Sequence, residues 1–88
     1  RAAGKITVEI QADEEDAAAA FNELKHVKKV ICEGKEDNWT KFSILVDHGT
    51  DTRERISALT AAKQWPIRTL HRHRSTLEDV FVELTRKD

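Results

Sequence analysis

The chain has 88 residues, and although 35% of them are charged its formal net charge is only −1. That length holds one domain with one core, and the balanced charge supplies no long-range field to draw nucleic acid or an anionic membrane. No apolar run approaches the roughly 20 residues of a bilayer-spanning helix and no signal peptide is present, so the composition suits a solvated cytoplasmic domain.

Lys5 to Gln11 alternates, with Ile6, Val8 and Ile10 on one side and Thr7, Glu9 and Gln11 on the other. This predicts a half-buried strand. Ala12 to Asp16 then starts a helix, with Asp13 as its cap and acids in the first turn. Ala17, Ala20, Phe21, Leu24 and Val27 form its apolar face. The acidic run Asp13-Glu14-Glu15-Asp16 lacks the spacing of a calcium loop, so it reads as a cap.

Lys29 to Glu33 predicts a second strand, Gly34 to Asn38 a polar turn, and Trp39 to Asp47 a third strand with Phe42, Ile44 and Val46 on one face. Two strands about so short a turn form an antiparallel hairpin. Ile31 and Leu45 fall on the other faces of their strands, so the outer face of the hairpin is either partly covered or open to a partner. Cys32 is the single cysteine. It has no partner for an internal disulfide, which fits a reducing compartment. Beside Val30 and Ile31 it reads as a small buried hydrophobe.

His48 to Asp51 leads into a second helix. Asp51 and Glu54 have capping-box spacing, and Ile56, Leu59, Ala62 and the stem of Lys63 form the buried stripe. Trp65-Pro66 ends it, because proline disfavours helical geometry in the residue before it. Ile67 to His73 predicts a fourth strand whose poor alternation implies a bulge and an edge position. A closing helix follows. Ser75 and Glu78 have capping-box spacing, Glu78 and Asp79 suit the positive end of its dipole, and Arg86 and Lys87 suit the negative end. Leu77, Val80, Phe81 and Leu84 recur at i, i+3, i+4 and i+7 as one apolar stripe.

The order β-α-β-β-α-β-α predicts an α+β fold. Its first six elements have the ferredoxin-like pattern, with two helices on one face of a four-stranded antiparallel sheet. The extra C-terminal helix either covers the open face of the sheet or docks elsewhere in a partner.

Chemistry-bearing patterns are sparse. A GxxxxGK[ST] phosphate loop is missing, which argues against an isolated ATPase. His71 and His73 would face the same way on a strand and share a metal, but no further Cys or His stands nearby, so the surface reading is favoured. His26 and His48 lie in charged surroundings and read as solvated. Arg68, Arg72 and Arg74 join the two histidines in a basic strip. It reads better as edge protection than as a phosphate or RNA contact, because the central strands offer only Phe42 for base stacking. Trp39 and Trp65 read as packing residues that also suit an interface. Spacing alone defines no Ser-His-Asp set.

Two stretches carry a resemblance. Ser75 to Thr85 resembles the closing motif of the ATP-binding subunits of bacterial ATP-binding-cassette (ABC) exporters, in the branch serving drug, polysaccharide and gliding-motility transport. Gln64 to Leu70 resembles the run-in to that motif. A capped amphipathic helix is common, but the string Leu77-Glu78-Asp79-Val80-Phe81 in terminal position is much less so. The first three quarters of the chain match only in their order of elements.

The resemblance implies that residues 1–88 are a single accessory or regulatory domain placed after an ATPase domain. A chain that begins at Arg1 rather than Met fits a domain cut from a longer polypeptide. ATP and magnesium then belong to the upstream domain, and no catalytic, cofactor or metal residue falls in this chain. The implied partners are its own ATPase domain, a second ATP-binding subunit and the membrane permease, at the inner face of the cell membrane. A homodimer contact is compatible with the pairing of such subunits. The candidate interface is Leu77, Val80, Phe81 and Leu84 together with Ile31 and Leu45. The alternative is a ferredoxin-like module that senses a small molecule or a metal. It rests on fold analogy, and Gln11-Ala12-Asp13 stands where a glycine-rich ligand loop would be needed.

Overall fold

The computed structural model describes residues 4–47 and 49–73. The expected closing helix, with Leu77, Val80, Phe81 and Leu84, lies outside the described residues, as do His48 and Arg74. The described elements are β1 (Gly4–Ile10), α1 (Glu14–Asn22), β2 (Val27–Glu36), β3 (Trp39–Val46), α2 (Arg53–Lys63) and β4 (Ile67–His73). The strands form one antiparallel sheet in the order β2-β3-β1-β4. This arrangement is α+β and consistent with a ferredoxin-like fold.

The period-2 alternation of β1 and β3 decides where the core sits. Ile6 lies opposite Ile44 and Val8 opposite Phe42 in the register. Cross-strand partners share a face, and these residues are fully buried together with Ile10 and Val46. Ala17 and Phe21 of α1 and Ile56 of α2 complete the same buried cluster. Both helices therefore serve one side of the sheet, with α1 along β2 and α2 along β4. Phe21 is central to this layer. Its ring meets Phe42 edge-on at 5.6 Å and Trp65 edge-on at 6.2 Å, arrangements that aromatic quadrupoles favour.

Asp13 caps α1 as expected, its carboxylate accepting from the Asp16 amide at 3.0 Å. The helix stops at Asn22, so Leu24 packs from the following turn and Val27 belongs to β2 rather than to the helical face. The α2 cap differs from the capping box expected of Asp51 and Glu54. Thr52 is the N-cap residue and its hydroxyl makes no cap bond, while the Asp51 carboxylate accepts from the Arg53 amide at 3.1 Å. The buried stripe of α2 is Ile56 and Thr60 with Leu59 partly covered; Ala62 and Lys63 are exposed. Threonine satisfies this inward position because its hydroxyl donates to the Ser57 carbonyl at 3.0 Å. The helix closes at Gln64 in the left-handed conformation, φ 62°, and Trp65 follows, bonded to the Thr60 carbonyl.

The hairpin turn is tighter than its polar sequence implies. β2 runs on to Glu36, opposite Trp39, and only Asp37 and Asn38 lie between the strands. Both have positive φ, 53° and 70°, the type I′ geometry that matches strand twist. Gly34, read as part of the turn, instead stands where the β2–β3 register shifts, with φ 139°. Cys32 is exposed on this outer strand rather than buried. Desolvation by its surroundings, reinforced by the Glu14 carboxylate, still pushes its thiol up, so it is a poor nucleophile.

Candidate contact surface

The side of the sheet away from the helices is built by the alternate residues of every strand. In the register Lys5 pairs with Leu45, Thr7 with Ser43 and Glu9 with Lys41. The same three β1 residues pair with His73, His71 and Thr69 of β4. On β2, Lys29 lies opposite Leu45 and Ile31 opposite Ser43. These residues share the second face. It carries both hairpin residues singled out from the sequence: Ile31 and Leu45 are each half-buried, in neighbouring rows.

Around them the face is polar and tied together. The Ser43 hydroxyl donates to the Glu33 carboxylate at 2.7 Å. At one end of the face Glu9 accepts from the Thr69 hydroxyl at 2.5 Å and from the Arg68 guanidinium at 3.2 Å. The Arg68 guanidinium also lies 4.8 Å from the centre of the Trp39 ring. This cluster exists because the β1–β4 register shifts between Glu9 and Ile10. Arg68 is the extra residue of that bulge and turns towards Glu9. Hydrogen bonds from Arg68 and Thr69 hold the Glu9 carboxyl below its ordinary value. The sequence showed the bulge and the edge position of β4, but the partnership of Arg68 with Trp39 depends on register and was not legible.

The basic strip read from the sequence is divided. Arg68, His71 and His73 belong to the open face, whereas Arg72 pairs with Ile6 in the register and lies 3.9 Å from Asp51. Asp51 also accepts from Arg53 at 2.7 Å, and these bonds lower its carboxyl to about 2. The cations of this edge therefore face carboxylates, Glu9 and Asp51, within hydrogen-bonding or ion-pairing range.

His71 and His73 do share a face, with ring centres 4.7 Å apart. Among the described residues no group of three or more His, Cys, Asp and Glu side chains is placed to hold a metal. His73 instead meets the Thr7 hydroxyl, Nε2 to Oγ1 at 2.6 Å. Burial, then the charges of His71, Lys5 and Lys41, push His73 below its ordinary value. His26, read as solvated, sits 3.2 Å from the Asp47 carboxylate. Trp65 packs against the core, as expected.

The face is therefore apolar at Ile31 and Leu45, basic at Lys5, Lys29, Lys41 and Arg68, and acidic at Glu9, Glu33 and Glu36, the last opposite Trp39 in the register. On the other side α1 begins with Glu14, Glu15 and Asp16 and has no basic residue in its last turn, whereas α2 carries Arg53, Arg55 and Lys63 against Glu54. No described helix is long and apolar enough to cross a membrane.

One family model matches, ATP-binding protein DrrA1-3-like, C-terminal domain, and it covers residues 1–85. No curated protein matches the chain.

Proposed function

The chain belongs to the family of C-terminal domains of DrrA1-3-like ATP-binding proteins, the accessory domains of ABC ATP-binding subunits, and from that premise we propose that it is a non-catalytic contact module. Its parent couples ATP hydrolysis to export across the membrane. The domain meets the ATPase domain of its own polypeptide and, through it, a second ATP-binding subunit and the permease. ATP and magnesium are bound upstream, since this sequence has no phosphate-binding loop of its own.

The observation that carries this reading is the family match over nearly the whole chain. The fold is compatible with it. The described residues devote their buried volume to packing, and their polar clusters are self-satisfied ion pairs and hydrogen bonds. The candidate contact residues are Ile31 and Leu45 on the open face and Leu77, Val80, Phe81 and Leu84 in the closing segment.

Two ATPase assays test the proposal. The isolated 88 residues should hydrolyse no ATP above a blank. The parent ATP-binding subunit should retain nucleotide binding but change its turnover or its pairing when this domain is deleted. Turnover by the isolated domain, or a deletion that alters neither property, would sink it.

A further inference from the structure

β2 is an edge strand, and among the described residues no strand lies beyond it. The direction of its backbone groups follows from the hairpin. Asp37 and Asn38 form a two-residue turn, so Glu36 and Trp39 are the closing hydrogen-bonded pair. The register of β3 with β1 is unbroken, so the alternation carries along β3 and Ser43 also bonds towards β2. Ile31, opposite Ser43, therefore bonds inward. Val30 and Cys32 on either side of it turn their N–H and C=O groups outward, where a further strand can pair.

The side chains of this stretch complement their own reverse. Lys29 lies opposite Leu45 and Ile31 opposite Ser43, and the Ser43 hydroxyl donates to Glu33, so all three β2 residues belong to the open face. An identical strand laid antiparallel about Ile31 sets Ile31 against Ile31 and, twice over, Lys29 against Glu33. Val30 and Cys32 then exchange backbone bonds across the edge. Shifting the register by two residues sets Ile31 against Lys29 or Glu33 instead and loses the ion pairs. The β2–β3 register itself shifts at Lys28 and at Glu33, and such bulges discourage pairing beyond the stretch between them. On the helix side, Ala18 and Ala19 of α1 line a groove with Val30, and these small side chains leave room for a second copy beside the edge.

We propose that the occupant of the β2 edge is a second copy of this chain, paired antiparallel with Ile31 against Ile31 and Lys29 against Glu33, so that two four-stranded sheets become one of eight strands. This rests on the contact role and names the partner for one of its candidate residues, Ile31.

Sedimentation of the full 88-residue chain tests it. A concentration-dependent dimer is expected, and a chain that stays monomeric up to about 1 mM overturns the proposal. Lys29→Glu and Glu33→Lys each set like charges opposite one another at two places and should weaken the dimer about tenfold. The two substitutions together restore opposite charges and should recover the affinity. Single variants that dimerise as tightly as the parent chain, or a double variant no tighter than either single one, overturn the proposal. A second measurement reads the register. With Cys32→Ser to remove the native thiol, Ile31→Cys should cross-link two chains in air about tenfold or more faster than Lys29→Cys, because the Cα atoms of a non-hydrogen-bonded antiparallel pair are about 4.5 Å apart. Equal rates overturn the proposal. A monomer leaves the contact role standing, since binding of the chain to the ATP-binding subunit is a separate titration.

Discussion

The hydroxyl of Thr7 lies 2.6 Å from Nε2 of His73, tying the central strand β1 to the edge strand β4 on the open face. The bond places an ionisable ring where it is partly desolvated and near His71, Lys5 and Lys41, and these influences hold His73 below its ordinary value of 6.5. Such a ring takes up a proton less readily in the folded chain than in the unfolded one. The associated stability is complete above 6.5 and is lost as pH falls through the lower folded value. Thermal melts from about pH 7 to about pH 5 should show this decline, the window in which histidine titrates. His73→Asn should flatten it. An unchanged pH profile in that variant would mean that another group governs the slope.

Phe21 joins α1 to the sheet and to the residue that follows α2 through its contacts with Phe42 and Trp65. It is fully buried. Phe21→Ala should lower stability by about 3–5 kcal/mol, read by chemical denaturation. A loss below about 1 kcal/mol, within the range of ordinary surface changes, would show that α1 is not anchored there.

Gln64 ends α2 with φ 62°, a conformation that costs a side-chain-bearing residue about 1–2 kcal/mol relative to glycine. Gln64→Gly should therefore raise the melting temperature, despite the greater chain entropy of glycine when unfolded. A lower melting temperature would show that the left-handed cap carries no strain.

Much of the fold was legible because burial on one side leaves a periodic trace. Ile6, Val8 and Ile10, and then Phe42, Ile44 and Val46, announced the two central strands by alternation alone. Asp13 announced the start of α1. β4 was readable over Ile67 to His73 because Pro66 fixed its beginning. The far part of β2 was not readable, since an exposed outer strand has no apolar face to alternate. Gly34 to Glu36 therefore looked like turn, and Cys32 looked buried because Val30 and Ile31 precede it. In α2, threonine at position 60 hid the inward face and alanine at 62 suggested a false one. The candidate surface was legible in part: Ile31 and Leu45 were found by elimination from the core faces. The Arg68–Glu9–Trp39 cluster was not, because it joins three strands through a bulge whose position local sequence does not define.

A matching apolar face should make the closing segment matter to the rest of the domain. A chain ending before Ser75 should melt at lower temperature or associate, as judged by circular dichroism and sedimentation. Equal melting temperature and a monomeric truncated chain would assign the segment to a partner instead.

The central claim, that this domain acts by contact with an ATP-binding partner, is tested most directly by titrating the isolated 88 residues into the parent ATP-binding subunit from which they have been deleted. Calorimetry should show saturable binding at one-to-one stoichiometry. The absence of binding with both components folded would contradict the account.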